Sequence, residues 1–413
     1  MKRPLVLFFL AVLTTLFVGA SARPAPSHWV ATWTSMPQLT EPGNMPPAPF
    51  TGTDRVLDNA SLRETAQVTT GGPRIRLRFS NAFGGAPLPL TAVSVARPVS
   101  GAAGVSAVVP GSITGVTFHG KPSTVVPQGA QVVSDPLAFP VRSLENITVT
   151  AYLANGQAST SITSHPGSRT TSYLMAGNQV ASPELPGATP VDHWYFLSGI
   201  EVLSPASAVA VIGDSISDGR GSTTNGNDRW PNVLASRLHG VSVVNQAAGG
   251  NRVLQDGLGP NVLARLDRDL LSTSGVSWAI VFEGVNDIGT ATPAAASDVA
   301  AQLIDAYDQI ITRAHAQDIK VYGATITAFG GNTGYDAPER EAARQQVNAW
   351  IRQPGHFDAL LDFDKVTRDP AKPSQLLPAY DVGDHLHLNP DGYRAIGNSV
   401  PEQLFDDHGG WGS

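Results

Sequence analysis

The chain has no cysteine, and only 15% of its 413 residues are charged. The first absence excludes disulfides, thiolate nucleophiles, cysteine-ligated zinc and thiol redox chemistry. The second, with a net charge of −7, leaves no basic footprint for nucleic acid. Beyond the N-terminus there is no long apolar run, so no stable membrane insertion is expected. The N-terminus itself reads Met1-Lys2-Arg3, an apolar stretch from Leu5 to Val18, then Gly19-Ala20-Ser21-Ala22. A charged start, an apolar middle and a small-x-small end are expected to form a signal peptide, residues 1–22. The competing reading is a membrane anchor, for which the apolar stretch is short. A secreted, extracellular protein follows as the expectation. An apolar content of 42% is enough for two cores without disulfides.

From about His28 to Leu203 the texture is β. Arg74-Ile75-Arg76-Leu77-Arg78-Phe79 alternates charged and apolar residues, as a half-exposed strand does. Ile147, Val149, Ala151 and Leu153 alternate in the same way with Thr148, Thr150 and Tyr152. Gly71-Gly72-Pro73, Gly84-Gly85 and Asn155-Gly156 punctuate these runs. Short strands separated by turns predict an all-β sandwich or jelly roll over residues 23–203. The segment also carries two N-glycosylation sequons, at Asn59 and Asn146.

Near Ser204-Pro205-Ala206-Ser207 the pattern changes to alternating strand and helix over residues 204–413. Strands are expected at Ala208–Ile212, Val241–Asn245, Trp278–Glu283, Lys320–Thr325 and Phe357–Asp362. Between them lie helical faces such as Trp230, Leu234 and Leu238, or Val299, Leu303, Tyr307, Ile310 and Ile311. Thr292-Pro293 and Asn389-Pro390 read as helix starts, and Asp336-x-x-Glu339 as a capping box. Such alternation predicts βαβ units and a parallel sheet.

Four short blocks fall at the carboxyl ends of these strands or just before the last helix. They are Gly213-Asp214-Ser215-Ile216, Gly249-Gly250-Asn251-Arg252, Gly284-Val285-Asn286-Asp287 and Gly383-Asp384-His385-Leu386-His387. Carboxyl ends of adjacent parallel strands converge, so the four loops are expected to meet. Acyl transfer at serine needs a nucleophile, a base, a group that orients the base, and donors for the oxyanion. Ser215, His387, Asp384 and the donor set of the Ser215 N–H, the Gly250 N–H and the Asn286 amide supply all four.

These blocks resemble the SGNH, or GDSL-type, hydrolase family. The resemblance extends to Arg229-Trp230-Pro231, Asn251-Arg252, Gly259-Pro260 and Asn348-Ala349-Trp350, and so covers the C-terminal half. The β-rich front half, including Ser80-Asn81-Ala82-Phe83-Gly84, resembles the extra sandwich domain of a secreted subgroup of these esterases. The resemblance implies a three-layer α/β/α, flavodoxin-like domain that hydrolyses ester-linked acyl groups with no cofactor. It assigns nucleophile to Ser215, base to His387, orienting acid to Asp384, and oxyanion donors to Ser215, Gly250 and Asn286. Ile216 replaces the family's leucine, a swap of one apolar residue for another. Leu388 stands where many members carry proline, which is expected to loosen the loop presenting His387.

Plainer readings stand beside these. Ser215 alone reads as a helix cap. His385-x-His387 with Asp384 has ligand-like spacing for a metal, but no second cluster completes it. Asp214 is expected to bond turn amides, and Asp287 and Glu283 to brace the Asn286 loop. Trp29, Trp33, Phe118 and Trp194 read as sandwich core before sugar platforms. The favoured function is a secreted serine esterase acting on a small-molecule or polysaccharide ester, with a short acyl group such as acetyl. A lipase of the same chemistry and a glycan-binding protein with an inactive hydrolase half are the alternatives.

Overall fold

The computed structural model describes residues 26–406, so the expected signal peptide at residues 1–22 lies outside the described residues. The C-terminal half is built on a parallel sheet whose strands are β1 (Ser207–Gly213), β2 (Val241–Asn245), β3 (Val276–Phe282), β4 (Lys320–Ala324) and β5 (Ala359–Leu361). Their spatial order is β2-β1-β3-β4-β5, the flavodoxin-like arrangement, in which ligands bind outside the strands' carboxyl ends where the order reverses. β1 lies at that reversal. Ala208 through Ile212 are each no more than 1% exposed, as a strand covered on both faces requires.

Helices cover the sheet. A single turn, α1 (Ser215–Asp218), follows β1 directly, and α2 (Trp230–Arg237) follows after a loop. The others used below are α3 (Val285–Thr290), α4 (Ala296–His315), α5 (Pro338–Ile351) and α6 (Pro390–Ser399). α2 packs with α6, and α4 with α5. Leu303, Tyr307 and Ile310 of α4 and Trp230 and Leu234 of α2 are buried as their spacing predicts. The expected capping box at Asp336 is not formed. Pro338 sets the first turn of α5 and Ala337 is its cap residue, because proline's fixed φ already suits the first helical position. Asp336 instead closes the preceding loop by accepting the Gly331 N–H at 2.9 Å.

The N-terminal half is an antiparallel sandwich. One sheet has four strands, His28–Thr34, Leu197–Ser204, Ile75–Ser80 and Gln131–Val133 in that order. The facing sheet has six, centred on Ala60–Gln67 and Asn146–Leu153. The threonine face of Asn146–Leu153, expected to be half exposed, is covered: Thr148 is 0% exposed and Thr150 3%. Arg63 on the neighbouring strand lies over it, donating to Thr150 Oγ1 at 2.9 Å and to the Ser106 and Ser182 carbonyls at 2.6 Å each. A buried guanidinium with that many acceptors is satisfied rather than stranded.

The halves meet along the free edge of β2. The Ser242 hydroxyl donates to the Ala31 carbonyl at 2.6 Å, the Thr34 hydroxyl to the Asn245 carbonyl at 3.1 Å, and the Val243 N–H to Thr69 Oγ1 at 3.1 Å. Along the first sandwich strand, Val30 packs in the sandwich core while Ala31 packs in the core of the parallel sheet. Strand alternation lets one element serve both.

Asp364 is the most heavily loaded buried acid of the C-terminal half. It accepts Arg344 at 2.6 Å, Arg352 at 2.7 Å and Arg368 at 3.0 Å, with Arg344 and Asp364 both fully buried. Removing the carboxylate strands the Arg344 charge. Asp364→Ala is therefore expected to lower the unfolding free energy by about 3 kcal/mol, read as a lower midpoint in urea titration.

Candidate active site

β1 ends at Gly213 because nothing larger fits: a Cβ there would lie 2.5 Å from the Ser217 hydroxyl. Asp214 then caps α1 by accepting the Ile216 N–H at 2.9 Å, the turn role its sequence position suggests. Gly219 closes the helix with φ 94°, a conformation that glycine adopts without strain. The turn is pinned from below as well. Trp230 Nε1 donates to the Ser217 hydroxyl at 3.1 Å, and the Asn245 amide to the Ser217 carbonyl at 2.8 Å. Ser215 is thus held with its hydroxyl facing the other loops, 7% exposed.

The structure brings Ser215, His387 and Asp384 together. Ser215 Oγ lies 2.7 Å from His387 Nε2, and His387 Nδ1 lies 2.6 Å from Asp384 Oδ2. The other Asp384 oxygen accepts the backbone N–H groups of Leu386 and His387 at 3.0 and 2.8 Å. A carboxylate can only accept, so Nδ1 carries the proton and Nε2 is free to accept the serine proton. Burial lowers the His387 pKa below its ordinary value, offset in part by the Asp384 hydrogen bond and charge. The Asp384 pKa is lowered too: burial alone would raise it, but the hydrogen bonds and charge of His387 prevail.

The loop presenting His387 is tied without a proline after the histidine. Leu388 is fully buried, the Val382 N–H donates to the His387 carbonyl at 3.0 Å, and Asp381 accepts the Gly383 and His385 N–H groups at 2.7 and 3.0 Å. These contacts tie the loop where the proline is missing. His385 turns away from His387 and pairs with Asp381 at 2.6 Å.

The donor side is built from two further loops. Gly250 sits at φ 69°, and a Cβ there would lie 2.9 Å from Leu258 Cδ1. Beside it, Asn286 Nδ2 donates to the Asn251 carbonyl at 2.8 Å, and Asn286 Oδ1 accepts the Tyr335 hydroxyl at 2.7 Å. A backbone carbonyl has no proton to give, so these partners fix which end of the amide is nitrogen. Its second N–H has no partner among the described residues. Tyr335 and Arg265 escape the sequence reading. Arg265, 1% exposed, grips Asn251 Oδ1 at 2.8 Å and the Gln246 carbonyl at 2.7 Å, fixing the Gly250 loop from beneath. Neither lies in a block, and a lone Tyr or Arg carries no spacing signal.

Asp287 and Glu283 depart from their expected role. Asp287 braces the Gly250 loop rather than the Asn286 loop, accepting the Val253 and Leu254 N–H groups at 3.0 Å each. Glu283 braces nothing: it is 2% exposed, and neither carboxyl oxygen has a partner. Burial pushes Asp214 up to about 7 and Asp287 up to about 6, and raises Glu283 well above the carboxylate range, with the neighbouring acids adding to each shift except that of Asp287. Of the sequons, Asn59 is exposed, whereas Asn146 is half-buried and donates to the Gly101 carbonyl at 2.9 Å.

With this geometry in place, comparison with known proteins is decisive at the level of family. Residues 211–395 match the GDSL-like lipase/acylhydrolase family. The C-terminal half is an SGNH/GDSL hydrolase domain. Members of this family hydrolyse ester-linked acyl groups. Among solved structures, this chain is similar to a GDSL-like lipase from Bacteroides thetaiotaomicron, at 15% identity over 48% of this chain and 87% of that one, TM-score 0.38. It is also similar to a lipase/acylhydrolase from Enterococcus faecalis, at 18% identity over 47% and 92%, TM-score 0.34. An acetyl xylan esterase is similar at 18% identity over 46% and 96%, TM-score 0.35. No match was found among curated proteins.

The raised acids make a sign-specific stability prediction. A carboxyl whose folded pKa exceeds its unfolded value stabilises the fold below the unfolded pKa of about 4, and that contribution is lost as pH rises through about 6 to 7. Glu283→Gln removes one ionisable member of the group. The fall in Tm between about pH 5 and about pH 8 is expected to be shallower in this variant than in the wild type, measured by calorimetry at both values.

Proposed function

We propose that this SGNH/GDSL hydrolase is an exported serine esterase that cleaves carboxylic esters of small acyl groups such as acetyl, on a small-molecule or polysaccharide alcohol. The observation that carries the reading is the continuous line Ser215–His387–Asp384, with contacts of 2.7 and 2.6 Å. In the mechanism, Ser215 Oγ attacks the ester carbonyl as its proton passes to His387 Nε2. The developing oxyanion takes hydrogen bonds from the Ser215 and Gly250 N–H groups and from Asn286 Nδ2. His387 returns the proton to the departing alcohol, which leaves an acyl-serine. Water, deprotonated by the same nitrogen, then releases the acid. Asp384 holds the ring in the required tautomer and stabilises the transient imidazolium. The short acyl group rests on the sequence reading. Export rests on the N-terminal pattern.

Ser215→Ala is expected to lower kcat on 4-nitrophenyl acetate by roughly 10⁴-fold or more; undiminished turnover overturns the reading. On the donor side, Asn286→Ala is expected to cost about 10² to 10³ in kcat. Tyr335→Phe, which removes only the hydrogen bond that orients that amide, is expected to cost about tenfold. The acid limb of kcat/KM follows protonation of His387. Because burial favours the neutral ring, the limb is expected to have its midpoint below pH 6.5 and the profile to stay level above it. An initial-rate pH series checks this.

A further inference from the structure

The sandwich reaches the nucleophile through one loop. His165, at the end of a short strand, lies 2.9 Å from Asp218 on α1 through Nε2 and 3.1 Å from the Met36 carbonyl through Nδ1. Gly167 passes so close to Asp218 that a Cβ would overlap the carboxyl oxygen. Further along, the Arg169 carbonyl accepts the Asn225 N–H at 2.9 Å, and the Thr171 N–H donates to the Asn225 side chain at 2.8 Å. Arg169 is thereby clamped against the segment that follows the catalytic turn, at φ 50°.

Its guanidinium is left without an acceptor. Nε is buried and bonded to nothing, and no carboxylate pairs with the group among the described residues. Arg76 and Arg78, by contrast, share Glu201, and Arg352 holds Asp362 and Asp364, whereas Arg252 beside Gly250 has a buried, unbonded Nε like that of Arg169. Desolvating a charge without a partner is costly. Arg220, whose N–H donates to the Ser215 carbonyl at 2.9 Å, is exposed and likewise lacks a carboxylate among the described residues. The positive charges of both residues act on His387. Of the acids nearby, Asp384 pairs with His387 and Asp381 with His385, while Asp218 pairs with His165 through one oxygen and leaves the other unbonded.

We propose that the sandwich lends Arg169 to the catalytic site, where with Arg220 it forms a subsite for an anionic group, so that the preferred esters carry a carboxylate close to the scissile bond. This rests on the esterase reading, and it assigns the front half a part in substrate selection. A guanidinium matches a carboxylate in planar, two-point geometry, and the low local dielectric strengthens the contact.

The test compares 3- and 4-acetoxybenzoate with their uncharged methyl esters, using the full chain at low and high salt. Arg169→Gln is expected to lower kcat/KM for the charged esters about tenfold through KM, with the methyl esters unchanged. Arg169→Lys is expected to recover most of the loss, and added salt to erode the wild-type preference. An equal fall on charged and neutral esters would make Arg169 a brace of the loop and overturn the subsite, as would no change on either. Calorimetric binding of 4-hydroxybenzoate to the Ser215→Ala protein, with and without the added substitution Arg169→Gln, separates the two readings because it needs no turnover. About tenfold weaker binding to the double variant supports the subsite whatever becomes of the chemistry, and equal binding sinks it.

Discussion

A hydroxyl and an imidazole separated by 172 positions in the chain share a hydrogen bond of 2.7 Å, and much of the C-terminal architecture can be understood as what holds that contact. The parallel sheet delivers β1 to the reversal of strand order, where two neighbouring strand ends leave a gap that loops can fill. Gly213 lets the chain turn without a side chain in the way, and Asp214 stops the turn from unwinding. On the opposite side, Asp384 bonds His387 and its loop three times over, through Nδ1, through the residue's own N–H and through that of Leu386. Neither partner has much freedom to drift. A site that is ordered before substrate arrives spends little of its binding energy on arranging itself.

Beneath this contact lies a less comfortable layer. Asp214, Glu283 and Asp287 are all nearly inaccessible, and together they hold more carboxyl groups than the local hydrogen bonds can satisfy as anions. Asp214 and Asp287 each accept backbone donors and have evident local tasks. Glu283 has none: its two oxygens are unpartnered, and burial raises its pKa well above the ordinary carboxylate value. A negative charge on Glu283 would repel Asp214, the cap that fixes α1.

Much of this was legible from residues alone, for identifiable reasons. The five strands could be read because each is a short apolar run between turn residues, and the four blocks because small residues mark strand ends where the backbone must bend. Ser215, His387 and Asp384 followed from chemistry that needs those residue types and from the blocks in which they lie. What escaped notice lacks local pattern. Tyr335 reaches Asn286 across 49 positions, and Arg265 holds Asn251 from a helix with no special composition. The capping box failed because two start signals competed and proline prevailed. The threonine face of Asn146–Leu153 looked solvated because alternation reports two different faces and not what covers the second one. Here the cover is an arginine and distant loops.

The contact between the halves has a consequence for how such a chain can be divided. Strand Val241–Asn245 ends its sheet, and its outward backbone groups are occupied by the hydroxyls of Thr34 and Thr69. Without residues 26–203 the hydrolytic half would bare that margin, an open strand edge of the kind that other chains can pair with. The front half therefore covers an edge that the back half alone would leave open.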